Sequence, residues 1–158
     1  MKKYNRICVI GNSGAGKSTF SRKLAEKLNY PLCHIDKIIW KAGWKEVSDE
    51  ERLEKIQEFI AQDKWIFDGN AKSTYGIRLA KADLVIFLDL NPLLCCYRVI
   101  LRMLMNEKRE DMAFYRYILT YRKKIVPLFY QAYEKYKNSV DLIVVKTPQE
   151  IEKLLAEF

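Results

Sequence analysis

The chain has 158 residues and a formal net charge of +8, with 49% hydrophobic and 30% charged residues. That is a globular composition, and the length suits one domain, so residues 1–158 are expected to form a single unit. No stretch approaches the roughly 20 apolar residues of a membrane span, and the run after Met1-Lys2-Lys3 is too short for a secretory leader, so a cytoplasmic protein with no membrane partner is expected.

Ile7-Cys8-Val9-Ile10 is an apolar run of strand length. It leads directly into Gly11-Asn12-Ser13-Gly14-Ala15-Gly16-Lys17-Ser18, and Thr19 follows. The spacing G-x-x-x-x-G-K-S between a strand and a helix is a phosphate loop. Its glycines permit backbone angles and close approaches closed to other residues, so that successive N–H groups converge on an anion. Lys17 adds a full positive charge for the β and γ phosphates, and Ser18 a hydroxyl ligand for Mg²⁺. Residues 11–19 are therefore assigned to the phosphates of a nucleotide, expected to be ATP.

The helix opened by the loop runs to about Leu28, where Asn29-Tyr30-Pro31 breaks it. Leu32–Ile35 is a second strand. Ser48–Asp63 is a helix, with Ser48 and Glu51 as a capping box and Leu53, Ile56 and Ile60 on one face. Lys64–Phe67 is a third strand that ends at Asp68-Gly69-Asn70. Leu84–Leu88 is a continuous apolar run, the mark of a parallel strand covered on both faces. Asn91-Pro92 caps and starts a helix to about Met105. A polar interval, Asn106–Asp111, precedes a Tyr-rich helical segment to about Lys137. Leu142–Val145 is a fifth strand, and Thr147-Pro148-Gln149-Glu150 starts a last helix that packs through Ile151, Leu154 and Leu155.

Alternating strands and helices predict a doubly wound parallel sheet whose ligands bind at the carboxyl ends of the strands. The phosphate loop, Asp36, Asp68 and Asp89 all fall there. Asp68 is assigned to the metal, the alternative being a turn residue that caps its own loop. Asp89 is a second metal candidate, and structural capping competes for it. Asp36 suits the acceptor, either taking its hydroxyl proton or binding it, unless it serves only as a helix cap. Trp40 and Trp44, four residues apart, make a wall for a planar or apolar acceptor or pack under a loop. Asn70 is assigned to the acceptor side with them.

Arg98–Lys124 carries eight bases against three acids. Arg98 and Arg102 share a helix face and Arg109 lies just beyond. Together they make a lid that neutralises transferred phosphate, or a solvated basic face. The tyrosines from Tyr115 to Tyr136 either stack on single-stranded nucleic acid or pack helices, and packing is favoured. The four cysteines have no C-x-x-C spacing and His34 is the only histidine, so buried reduced thiols and no metal cage are expected.

The sequence resembles the bacterial DNA topology modulation proteins, a branch of the adenylate-kinase-like P-loop kinases. The resemblance rests on residues 11–19, His34-Ile35-Asp36 with Trp40 and Gly43-Trp44, Trp65–Asn70, Val85–Leu90 and Arg109-Glu110-Asp111-Met112. It implies a five-stranded parallel sheet in the order 2-3-1-4-5, a lid near residues 103–115, ATP with Mg²⁺, and a carboxylate like Asp68 in the water shell of the metal. Members of that family carry a longer segment after Arg-Glu-Asp-Met. Here Met112-Ala113 runs directly into Phe114-Tyr115, which shortens the lid. The expected activity is ATP-dependent phosphorylation of a nucleoside, nucleotide or small alcohol. The alternative is a nucleotide-dependent regulatory module that binds DNA or a protein and turns ATP over poorly.

Overall fold

The computed structural model describes residues 2–41, 45–106 and 110–158, and of residues 39–41, 45–46 and 106 the backbone alone. Strand β1 (Arg6–Gly11) leads through the phosphate loop into α1 (Lys17–Leu28). Next come β2 (Leu32–His34), a one-turn helix α2 (Ile35–Ile39), a small antiparallel hairpin of β3 (Trp40–Lys41) and β4 (Lys45–Glu46), and α3 (Asp49–Ile60). Strand β5 (Trp65–Asp68) precedes a 3₁₀ turn at Lys72–Thr74 and α4 (Tyr75–Leu79). The second half runs β6 (Leu84–Leu88), α5 (Pro92–Asn106), α6 (Met112–Lys124), α7 (Val126–Tyr133), β7 (Asp141–Val145) and α8 (Pro148–Glu157).

Five strands form one parallel sheet in the order β2-β5-β1-β6-β7. Counted along the sheet strands alone this is the expected 2-3-1-4-5. Because side chains alternate along a strand, β1 feeds two cores: Ile7 and Val9 pack with Phe20, Leu24, Val99 and Leu154, whereas Cys8 and Ile10 pack with Ile56, Leu79, Tyr121 and Phe129. Helices therefore cover both faces, which is why β6 is apolar at every position. All four thiols are free, and burial pushes those of Cys8 and Cys95 up to about 11.

Several local expectations change. Ile35 opens α2 instead of ending the second strand, which puts Asp36 in a helical first turn. Leu53 is exposed, so α3 packs through Ile56 and Ile60 alone of the three. The Tyr-rich segment is two helices meeting at Ile125. Pro127, in the first turn of α7, has no N–H to continue the helix before it and suits a helix start. Tyr121 lies in the core with Tyr117, Tyr133 and Tyr136 packed against it. The caps hold: Ser48 Oγ accepts from Glu51 N at 3.2 Å, and Thr147 Oγ1 from Glu150 N at 3.2 Å.

Candidate active site

The phosphate loop closes over the end of β1, and its shape is enforced by contacts that only glycine allows. At Gly14 (φ +81°) a Cβ would lie 2.4 Å from the carbonyl oxygen of Cys95, so the loop rests directly on the α5 backbone. Helix α1 starts after Gly16 with no side-chain cap among the described residues. Its first N–H groups are left to a ligand, the arrangement by which a helix N-terminus binds phosphate. Lys17 Nζ donates to the Asn12 carbonyl at 3.0 Å. Its packed surroundings pull the ammonium below the ordinary lysine range, and Asp68 and Asp36 act in the opposite direction.

A cavity of about 660 Å³ opens in front of this loop, lined by residues 13–19 together with Asp36, Asp68, Arg98 and Arg102. Sheet register explains Asp68. It is paired with Val9 on β1 and with His34 on β2, so the carboxylate emerges beside the phosphate loop. The residue is 3% exposed. Its Oδ2 lies 2.8 Å from His34 Nδ1, whereas Oδ1 has no partner among the described residues. An ionised carboxylate only accepts hydrogen bonds, so Nδ1 carries the proton. The turn after it is steric as well: a Cβ on Gly69 (φ +121°) would stand 2.1 Å from Ile35 Cγ2.

Other assigned residues do different work. Asp89 is absent from the cavity lining. Its Oδ1 accepts from Arg122 Nε at 2.8 Å, its own carbonyl accepts from Arg122 Nη2 at 3.0 Å, and its N–H donates to Val145 O at 2.8 Å. The metal assignment of Asp89 is therefore corrected to a structural tie between β6, β7 and α6. Asn70 is also away from the cavity. Its amide exchanges two hydrogen bonds with the Gly11 backbone, one of them Gly11 N to Oδ1 at 3.2 Å, and Tyr121 Oη donates to the same oxygen at 3.3 Å. Asn70 thus clamps the loop after β5 to the phosphate loop, in place of the acceptor contact assigned to it. Asn12 turns inward and donates from Nδ2 to Ile118 O at 2.8 Å, so within residues 11–19 it braces the loop from behind.

Helix α5 brings Arg98 and Arg102 to the cavity, where among the described residues neither has an ion-pair partner. Arg109 and Trp44 lie outside the described residues, as does the Trp40 side chain. The expected lid at residues 103–115 falls on the end of α5, the start of α6 and the interval between them. Lys23, Phe114 and Glu152 line the cavity without having been foreseen. For Glu152 the available signal was its place in the first half of the helix after the fifth strand, at the ligand-binding edge of the sheet. Arg78 was also missed. It is fully buried, donates to Gly69 O at 2.9 Å and to Ala71 O at 3.3 Å, and packs over the Phe67 ring at 4.9 Å. The backbone that follows Asp68 is held from below by this guanidinium.

The sequence model of the shikimate kinase family matches residues 13–67. A putative adenylate kinase of Thermococcus kodakarensis is 29% identical over 152 residues, covering 92% of this chain and 80% of that protein. The adenylate kinase of Encephalitozoon cuniculi is 30% identical over 131 residues, or 69% of this chain and 71% of that one. The chain belongs to the adenylate-kinase-like P-loop kinases. It is an ATP-dependent kinase, a phosphotransferase of small molecules. Among solved structures, shikimate kinase from Acinetobacter baumannii in complex with shikimate superposes with a TM-score of 0.64 at 19% identity, over 97% of this chain and 92% of that one. At that identity the likeness concerns the fold, and the fold places the cavity of this P-loop kinase at the carboxyl edge of its sheet.

Proposed function

We propose that the chain transfers the γ-phosphoryl group of ATP to a nucleoside, a nucleotide or a small alcohol, with the acceptor bound on the Asp36 side of the cavity. One observation carries the reading: a single cavity gathers the phosphate loop, the carboxylates of Asp36, Asp68 and Glu152, and the guanidinium groups of Arg98 and Arg102, which have no ion-pair partner among the described residues. Lys17 and the first N–H groups of α1 would hold the phosphates. Asp36 would accept the hydrogen bond or proton of the acceptor hydroxyl, and Arg98 and Arg102, with Arg109, would neutralise the charge that spreads over the transferred group.

The residues present fit Mg²⁺. Asp68 Oδ1 is a buried carboxylate oxygen without a partner among the described residues, and Ser18 offers a hydroxyl at the same cavity. Few hard oxygens are what this ion takes from a protein, since it keeps several waters and binds substrate phosphates. Once bound, Mg²⁺ supplies charge neutralisation at the β and γ phosphates. The chain's own part is to orient: His34 fixes which oxygen of Asp68 is free, and Asn70 and Arg78 hold the backbone on either side.

The Asp36-x-x-x-Trp40-x-x-Gly43-Trp44 spacing and Asp68-Gly69-Asn70 support a place in the DNA topology modulation branch of the family. Direct DNA binding is the weaker reading of the basic segment. Arg98 and Arg102 line the cavity and Arg122 is spent on Asp89. Thermal shifts with ATP–Mg²⁺, followed by ADP release across a panel of nucleosides, nucleotides and small alcohols, test the proposal. An acceptor-stimulated rate that vanishes in Asp36→Asn while ATP binding persists is expected. ATP hydrolysis indifferent to every acceptor, with tight duplex DNA binding at physiological salt, would favour the regulatory module instead.

A further inference from the structure

Apart from Arg98 and Arg102 on one flank, helix α5 is apolar. Cys95 and Val99 are buried in the core and Cys96 and Met103 pack against it, yet the opposite side exposes Leu93, Tyr97, Ile100, Leu101, Leu104 and Met105. Leu93, Leu104 and Met105 are 69%, 76% and 83% exposed. Between Pro92 and Asn106 the only charged residues are Arg98 and Arg102, and both line the phosphate cavity on the helix flank. A helix that is apolar on two opposite sides is normally buried on both. Here a partner is missing on one side.

We infer that this stripe is the seam of a dimer, covered by the same helix of a second copy of the chain. Leu93, Tyr97, Ile100 and Leu104 are spaced 4-3-4, the apolar spacing of a helix that packs lengthwise against another helix. The six residues, backbone included, expose about 700 Å² in total, taking roughly 180–210 Å² for each when fully exposed. That exceeds the roughly 300–600 Å² of the largest apolar patch on a typical monomer and approaches the roughly 800 Å² that each partner brings to a stable interface. Helix α6, packed beside α5, leaves Met112 and Leu119 exposed as well.

Charge argues for a copy of the same surface. The chain carries +8, but the stripe carries no charge, so two stripes meeting about a twofold axis bring no cation against a cation and leave none buried. An acidic partner would need bases within the stripe, and a membrane-bound helix would need them along its rim. Helix α5 has no lysine, and its arginines point to the cavity. This inference does not rest on the phosphoryl-transfer reading, and the dimer would brace the helix that presents Arg98 and Arg102.

Sedimentation of the full chain from nanomolar to high micromolar concentration tests it. The wild type should move from one to two chain masses, and Leu93→Glu with Leu104→Glu should stay at one mass with an intact circular dichroism spectrum. Should that variant fail to fold, Ile100→Cys in a Cys96→Ser background gives a second reading. Ile100 lies near the middle of the stripe, so a short bismaleimide should link two chains there and not at a Glu58→Cys control on exposed α3. A wild type that remains one mass throughout, a dimer that survives both glutamates, or a monomer captured on phosphatidylserine vesicles through this stripe would overturn the inference.

Discussion

Two aspartates end the two strands that flank β1, and the chain treats them in opposite ways. Asp68 closes β5 and Asp89 follows β6, each after a run of buried apolar residues. Asp89 is tied on three atoms: Arg122 holds one carboxylate oxygen and the carbonyl, and its N–H pairs with Val145. Asp68 is held on one oxygen by His34 and left bare on the other, at 3% exposure beside Lys17. Leaving a buried carboxylate oxygen unpaired costs about 1–3 kcal/mol or more, a cost that the proposed metal would offset. On the proposed reading, a strand-end carboxylate serves as a ligand group or a structural tie according to what its neighbours leave unpaired.

The largest effect that could break this comparison comes from the cation between the two strands. Lys17→Ala should lower phosphoryl transfer by about a hundredfold to a thousandfold while the melting temperature holds, because the ammonium meets the ligand and not the core. Rates measured at saturating ATP–Mg²⁺ check it. An unchanged rate would detach the phosphate loop from the chemistry.

Next in size is the arginine pair on α5. Arg102→Ala should cost on the order of tenfold in rate, about 1.4 kcal/mol, with ATP affinity changed less than the rate, since the charge it meets develops during transfer. A fall in duplex DNA binding with no fall in rate would assign the residue to a nucleic-acid surface.

The smallest effect sharpens the Asp68 side alone. His34→Ala removes the donor to Asp68 Oδ2 and should raise the Mg²⁺ concentration needed for half-maximal rate several-fold, less than the roughly 10–100-fold usual for a residue that orients a metal ligand, because Mg²⁺ keeps several waters and leans on substrate phosphates. His34→Asn, which returns an N–H to nearly the same place, should recover most of it. Equal Mg²⁺ dependence in both variants would make His34 a packing residue only.

What sets apart the features that local sequence reveals from those it conceals is the distance between partners along the chain. The sheet strands, the phosphate loop and the caps at Ser48 and Thr147 follow from local patterns, because spacing along one segment decides them, whereas the strand order comes from the family resemblance. The fate of Asp89 depends on Arg122, 33 residues away, and that of Asn70 on Gly11 and Tyr121, 59 and 51 residues away. No local pattern encodes such pairings. Arg78 was passed over for the same reason, since an arginine in a short helix carries no sign that it will be buried over Phe67 with its donors on two backbone carbonyls. The break at Ile125 was readable from Pro127, but the aromatic run on both sides conceals it.

Magnesium titration of Asp68→Asn beside Asp89→Asn tests the central claim most directly. Both changes remove one charge from a strand end next to β1, so they differ only in what the structure says each carboxylate touches. Asp68→Asn should require at least tenfold more Mg²⁺ for half-maximal rate and lose most of the Mg²⁺-dependent gain in ATP affinity. Asp89→Asn should keep the wild-type Mg²⁺ curve and cost less than about 1 kcal/mol of stability, as expected for a partly exposed ion pair. A shifted Mg²⁺ curve in Asp89→Asn with a wild-type curve in Asp68→Asn would contradict the account.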